Sequence, residues 1–203
     1  MAMAWIYQIG VNKPFSNMGT EQINNATEVW AVFNSRSATL QSACGLLGNM
    51  CAESGLNPGN KQGSSPLSGW GLIQWTPSTD LTRWCTEMRL NWYDGAAQME
   101  RIIAEGLNIG SAAGFWYPTS AYPYTWQEFE QLTDVEEATK AYLYERERAG
   151  TEVLPLRIQY ALDWYTYFTG QPTPPPSPTP PTPYKRDSGM PVYMMTRRAM
   201  LRM

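Results

Sequence analysis

The chain has 203 residues, of which 43% are hydrophobic and 13% aromatic, and it carries a net charge of −3. This balance predicts one packed domain with room for an appendage, and it offers no basic face for nucleic acid or an acidic membrane. The chain contains no histidine, which excludes Ser-His and Cys-His catalysis and any histidine-ligated zinc site.

The sequence shows neither a membrane-spanning run nor a signal peptide. Residues 1–11 are mildly apolar but lack a basic start and a small-residue cleavage site. Cys44 and Cys51 would lie about 10 Å apart on one helix, which is too far for a disulfide. We therefore predict that these two residues and Cys85 are buried thiols.

Two helices are predicted early in the chain, after an irregular segment over residues 1–19. Thr20 is the expected cap of a helix over about 21–34, whose apolar residues fall on one face. Ser37 is the expected cap of the next helix, over about 38–53, which has an apolar stripe of its own.

The second helix ends in a single carboxylate, Glu53, directly before Ser54 and Gly55, a pair that stops helices. Gly45 and Gly48 weaken this helix, because glycine costs helix stability relative to alanine. We therefore predict that another element packs closely against these two glycines.

A loop rich in Gly, Ser and Pro follows over residues 55–69, contains no carboxylate, and predicts at most a short hairpin. It leads into a compact apolar run that contains Gly71, Gln74 and two tryptophans. Gly71 lets the backbone approach a ligand closely, and Gln74 offers an amide donor and acceptor. Trp70 or Trp75 offers a face for a sugar ring, although core packing of Trp75 fits the pattern equally well.

Four further helical segments are predicted, separated by a long surface loop over residues 107–124. The first two cover about 79–90 and 95–106. Capping boxes then begin a short helix at Thr125 and a longer one, to about residue 147, at Thr133.

Pro155 suits the first turn of a last helix, which runs to about residue 168. The proline-rich run over 171–183 predicts an extended spacer, and the basic, Met-rich segment over 184–203 is too short to fold alone. The sequence thus predicts a mainly α-helical domain over 1–170 with little β structure, a polyproline linker and a docking tail.

Glu53 is the acidic residue with the most informative surroundings. Met50 and Leu46 lie one and two turns before it, which predicts a largely apolar setting. The C-terminus of a helix also disfavours a negative charge. Both effects favour the protonated acid, which is the form that donates a proton to a glycosidic oxygen. The enzyme interpretation would be overturned if this side chain pointed into bulk solvent with no groove beside it, or if it were locked to an arginine inside the core.

Four segments, GLLGNMCAESGLNP, GWGLIQWT, YERERAG and RIQYALDWY, resemble the phage tail lysozyme family in order and spacing. This family lies in the lysozyme superfamily, with lytic transglycosylases and goose-type enzymes, and the likeness covers about residues 20–168. It implies a lysozyme-like fold and cleavage of the β-1,4 bond between N-acetylmuramic acid and N-acetylglucosamine in peptidoglycan. It also implies that Glu53 is the general acid, that Gln74 and its neighbours form the far wall of a sugar cleft, and that Ser54 seats the helix end.

No second catalytic carboxylate lies between Glu53 and Gln74, where many lysozymes place one. Outside that window the candidates are Asp80, Glu137 and Glu145. Asp80 also suits a helix cap, and Tyr144 is a candidate to line the cleft.

Glu145 has a structural alternative, because it falls on an apolar helix face and needs a partner there. Arg148 or Arg157 would supply that partner as a structural ion pair.

Two catalytic mechanisms and one non-catalytic role stay open. A second carboxylate about 6.5–9.5 Å from Glu53 would hold a water for hydrolysis with inversion. Glu53 alone would serve as acid and then base while the 6-hydroxyl of the sugar closes an anhydro ring, as in lytic transglycosylases. The resemblance favours hydrolysis. The third alternative is a tail component that binds peptidoglycan without cutting it.

The expected partners are bacterial peptidoglycan and other phage tail proteins, the latter through residues 171–203. This attachment predicts a protein of the virion tail that acts at the host cell envelope. The sequence contains no phosphate-binding loop and no cluster of metal ligands, so we predict no metal, no other cofactor and no nucleic acid.

Overall fold

The computed structural model describes residues 4–147 and 153–170, so the predicted linker and tail over 171–203 lie outside the described residues. Within them the fold is mainly α-helical with one two-stranded sheet, which confirms the predicted fold class. The seven helices of this described part are α1 (Thr20–Ser35), α2 (Leu40–Ser54), α3 (Thr79–Met88), α4 (Gly95–Gly106), α5 (Trp126–Glu130), α6 (Val135–Tyr142) and α7 (Leu154–Thr169). None of them has both the length and the apolar composition needed to cross a membrane.

Helix α2 is the central helix, and every one of its residues from 42 to 51 is buried. It packs against α1, α6 and α7, which a helix can do when small and apolar residues surround its whole axis. A Cβ at Gly45 would lie 2.7 Å from Ala138 of α6, and one at Gly48 would lie 2.4 Å from the backbone oxygen of Arg157 in α7. The prediction that these glycines allow close packing is confirmed.

The helix starts are only partly as predicted. The capping box of Thr125 with Glu128 is confirmed at the start of α5. Helix α2 is capped by Thr39, whose hydroxyl accepts from the backbone of the helix, whereas Ser37 has a left-handed φ of 60° in the preceding turn. Helix α6 is capped by Asp134, one residue after the predicted threonine.

The small sheet joins the N-terminal segment to the long loop after α2. Strand β1 (Gly10–Val11) pairs in parallel with β2 (Asn60–Lys61). Lys61 then bridges antiparallel to Trp70, and Trp70 to Trp75. The loop therefore folds back on itself, as a hairpin would, but its ordered strand pairs with a distant segment.

The three cysteines are free and buried, as predicted. Burial raises the pKa of Cys85 to about 11 and that of Cys51 to about 12. The Cys51 sulfur accepts a hydrogen bond from the indole of Trp164 at 3.0 Å. The Cys51 thiol therefore takes part in packing between α2 and α7.

Candidate active site

Glu53 is the penultimate residue of α2, and its side chain is 21% exposed. Gly55 ends the helix with a left-handed φ of 60°, a conformation that glycine adopts without strain. Ser54 is buried, and its hydroxyl donates to the backbone oxygen of Leu72 at 2.9 Å. The end of α2 is thereby fixed to the turn that carries Gln74.

The Glu53 carboxylate forms an ion pair with Arg157 of α7, whose side chain is 4% exposed. The same guanidinium donates to the backbone oxygen of Asn49 at 3.3 Å and to its side-chain oxygen at 3.1 Å. The predicted apolar setting of Glu53 is therefore wrong, because a buried cation faces the carboxylate. Glu53 nevertheless keeps part of its side chain at the surface, so the pair is not enclosed in the core.

Gln74 lies in the turn between Trp70 and Trp75, whose backbone groups exchange hydrogen bonds of 3.2 and 3.0 Å. Its Nε2 donates to the backbone oxygens of Gly71 at 2.8 Å and of Asn60 at 3.2 Å. Its Oε1 is buried and has no hydrogen-bond partner among the described residues. An unpaired buried acceptor costs about 1–3 kcal/mol, and the described residues supply no donor for this oxygen.

Gly71 packs against protein and not against an open cleft. It has a φ of 83°, and a Cβ there would lie 2.5 Å from the Oε1 of Gln98. That oxygen accepts from the backbone of Leu72 at 2.7 Å, and the Nε2 of Gln98 donates to the backbone oxygen of Pro58 at 2.8 Å. The glycine is needed for the turn and for contact with this buried amide, which replaces the ligand approach expected at Gly71.

The two tryptophans of the turn differ in exposure. Trp75 is 2% exposed, and its indole donates to Glu105 at 2.8 Å. It therefore has the core role that the sequence left open. Trp70 is half-buried, and its indole donates to the backbone oxygen of Pro58 at 3.2 Å, which leaves Trp70 as the partly accessible ring at this wall.

Two candidate second carboxylates, Glu137 and Glu145, are joined to a single tyrosine. The hydroxyl of Tyr124 donates to Glu137 at 2.9 Å, and its backbone N–H donates to Glu145 at 3.0 Å. Glu145 is buried, and burial raises its pKa to about 8. Its predicted partner Arg157 pairs with Glu53 instead, and the other predicted partner, residue 148, lies outside the described residues.

Tyr144 and Asp80 lie in two other surroundings. Tyr144 is half-buried and stacks on Tyr122, with ring centroids 5.1 Å apart. Asp80 is in the first turn of α3 and lines an open cavity of about 180 Å³, whose other lining residues are Arg83, Trp84, Arg101, Ser111 and Phe115. Neither Glu53 nor Gln74 lines this cavity, so the structure does not bring Asp80 to them.

Glu147 was not among the sequence candidates, but its carboxyl group interacts electrostatically with that of Glu53. It ends the π-helical turn Leu143–Glu147, and its Oε1 is buried without a hydrogen-bond partner among the described residues. Burial, followed by the negative charge of Glu53, raises its pKa to about 8, although Arg146 and Arg157 act in the opposite direction. Burial and the charge of Glu53 thus favour the protonated form of Glu147.

The charges around Glu53 define what the site can do. Arg157 forms an ion pair with Glu53, and its positive charge also acts on the buried carboxyl of Glu147. The second nearby arginine, Arg146, is already paired with the buried Glu105 at 2.5 Å. The site thus combines a partly exposed carboxyl group, a buried carboxyl whose pKa is raised, and a buried amide oxygen without a partner among the described residues. Paired carboxyl groups are what acid-assisted glycoside cleavage requires.

Comparison with known proteins identifies the family to which the chain belongs. The family described as phage tail lysozyme matches residues 24–168. Morphogenesis protein 1 of Bacillus phage B103 is 30% identical over 155 residues, which cover 74% of this chain and 41% of that protein. The chain thus spans less than half the length of this relative. With the match extending over most of its length, the chain belongs to the phage tail lysozyme family.

Proposed function

We propose that this chain is a virion-associated peptidoglycan glycosidase of the muramidase type, which cleaves the β-1,4 bond between N-acetylmuramic acid and N-acetylglucosamine. The observation that carries the proposal is the partly exposed Glu53, fixed through Ser54 to the turn that holds Gln74. Membership of the phage tail lysozyme family supports the same chemistry.

Glu53 is the proposed general acid, and Glu147 is a second carboxyl group in its electrostatic surroundings. Two carboxyl groups whose environments differ are the usual way to keep one acid and one base at the same pH.

In the proposed reaction, Glu53 gives its proton to the leaving glycosidic oxygen as the bond from that oxygen to C1 breaks. A water then adds to C1, and its proton returns to the carboxyl pair. Arg157 stabilises the carboxylate that Glu53 becomes after it gives up the proton. Gln74 offers its free Oε1 to a hydroxyl or amide N–H of the bound sugar.

Two alternatives have support of their own. A lytic transglycosylase would use the same proton donor, with the 6-hydroxyl of the sugar in place of water. A protein that binds peptidoglycan without cutting it is favoured by the ion pair between Glu53 and Arg157, because such a pair suits a structural carboxylate.

Mass analysis of the products from purified peptidoglycan tests the proposal, with a Glu53→Gln protein prepared in parallel as the control. We expect new reducing N-acetylmuramic acid ends, present with the unchanged chain and absent with the control. Anhydro ends would assign the transglycosylase reaction, and bound but intact glycan would assign the binding role. Cleavage of peptide bonds alone would contradict all three.

The proposed setting is the phage tail at the host cell envelope. The basic, Met-rich residues 184–203, joined through the proline-rich linker, are the proposed contact with other tail proteins. Methionine side chains adapt to irregular partner surfaces, and the family suits a tail component.

A further inference from the structure

A row of aromatic side chains leads away from the Gln74 turn to the N-terminal segment. Ring centroids are 4.4 Å apart between Trp70 and Trp92, 5.2 Å between Trp92 and Tyr93, and 5.1 Å between Tyr93 and Tyr7. We call these four residues the aromatic strip. Only Trp92 and Tyr93 are neighbours in sequence, so the fold brings the other members of the row together.

The aromatic strip lies at the surface and not in the core. Tyr7 is 43% exposed, and Trp70, Trp92 and Tyr93 are half-buried. Adjacent apolar side chains that remain accessible to water are characteristic of interaction sites. Tryptophan and tyrosine suit amphipathic partners in particular, because each ring combines an apolar face with a polar edge.

The strip is continuous with the candidate active site. Trp70 closes the turn that holds Gln74 through two backbone hydrogen bonds with Trp75. Leu72, inside the same turn, accepts the hydrogen bond from Ser54, the residue after Glu53. A polymer that crosses the turn beside Glu53 would therefore meet the strip at Trp70.

A positive charge stands over the beginning of the strip. The Nζ of Lys61 is 5.9 Å from the ring centroid of Trp70. The Nζ of Lys61 donates a hydrogen bond to the backbone oxygen of Ser64 at 3.4 Å. It forms no salt bridge with a carboxylate of the described residues. This cation suits a partner that combines flat, partly apolar rings with carboxylate groups.

We propose that the aromatic strip binds the peptidoglycan strand beyond the bond that is cut, with sugar rings against the accessible parts of the aromatic rings and a carboxylate of the peptide substituents near Lys61. This inference rests on the proposed function for the identity of the polymer. It adds an extended binding surface that would keep the protein on a long strand. The competing occupant of the strip is a protein partner. The aromatic rings and the charge of Lys61 do not call for one, because a glycan with carboxylate substituents satisfies both.

The test is binding of the full chain, carrying Glu53→Gln, to purified insoluble peptidoglycan in a sedimentation assay. Adding Tyr7→Ala together with Tyr93→Ala is expected to weaken binding about tenfold, or about 1.4 kcal/mol. Tyr167→Ala is the matched control, because Tyr167 is 45% exposed and also contacts neighbouring rings, but lies on α7. Tyr7→Phe, which keeps the ring, is expected to retain binding, and thermal unfolding verifies that each variant is folded.

The outcomes separate this inference from the proposed function. The inference is supported if the alanine variants bind peptidoglycan more weakly than Tyr167→Ala does. It is also supported if Lys61→Gln removes a salt-sensitive part of the binding. Equal binding by folded alanine variants and the control overturns it, and would leave cleavage by Glu53 unaffected. A chain with Glu53 intact that binds through the strip but yields no cleaved glycan would contradict the proposed catalysis alone.

Discussion

Replacing Glu53 with glutamine is expected to lower the rate of glycan cleavage about 10²–10⁴-fold, the usual contribution of general acid catalysis. Glutamine keeps the shape of the side chain, and its oxygen still accepts from Arg157, but it has no acidic proton to give. The release of soluble glycan fragments from purified peptidoglycan measures the rate, and sedimentation with the same material measures binding, which is expected to persist.

Glu100→Gln is the matched control for that experiment. Glu100 is an exposed glutamate on α4, and its substitution is expected to leave the rate unchanged. A Glu53→Gln protein that cleaves as fast as the Glu100→Gln protein would remove Glu53 from the mechanism. Such a result would leave the ion pair with Arg157 as a purely structural contact.

Replacing Glu105 with glutamine is expected to lower the free energy of unfolding by about 3–5 kcal/mol, because it leaves two buried arginines without their counter-ion. Glu105 is 1% exposed and pairs with Arg101 at 2.8 Å and with Arg146 at 2.5 Å. It also accepts from the indole of Trp75, so it holds the wall of the candidate site from behind. Denaturant unfolding of both proteins at neutral pH measures the difference.

The surface pair of Glu136 with Lys140 provides the control, because Glu136 is 37% exposed and its partner 26%. Glu136→Gln is expected to change the free energy of unfolding by no more than about 1 kcal/mol. Equal, small effects of the two substitutions would contradict the buried network. A large effect of Glu105→Gln alone would show that the charges behind Trp75 stabilise the fold.

The helices could be predicted from the sequence because the patterns that indicate them are local. The apolar period predicts a helix over 95–106, and the structure has Gly95–Gly106. The cap at Thr20 is wrong, because α1 begins at that residue and Gly19 precedes it as the cap. Whether a residue caps a helix depends on its own backbone angles, and the residue type does not define those angles. Ser37, for example, is a favourable cap residue but has a left-handed φ of 60°.

The site could be predicted only in part from the sequence, because the residues that contact Glu53 come from distant parts of the chain. A helix stop placed Glu53 correctly at the end of α2. Arg157, which pairs with it, lies 104 residues away in sequence, and a single sequence contains no local signal for that contact. The predicted setting of Glu53 considered only its own helix and therefore missed the guanidinium.

Glu147 was missed for a different reason. A regular helix to about residue 147, with 3.6 residues per turn, places Glu145 on the apolar face. The chain instead forms a π-helical turn over Leu143–Glu147, whose wider hydrogen-bonding pattern shifts the side chains that follow. Such turns are frequent at functional sites, and the acidic pair within YERERAG was the sequence signal that could have pointed to Glu147.

The most direct test is a crystal structure of the Glu53→Gln chain with a bound peptidoglycan oligosaccharide of alternating N-acetylglucosamine and N-acetylmuramic acid. We expect the side-chain amide at position 53 within about 2.6–3.2 Å of a glycosidic oxygen, and the Oε1 of Gln74 accepting a hydrogen bond from the same glycan. A glycan bound away from the end of α2, with position 53 contacting only Arg157, would contradict the account.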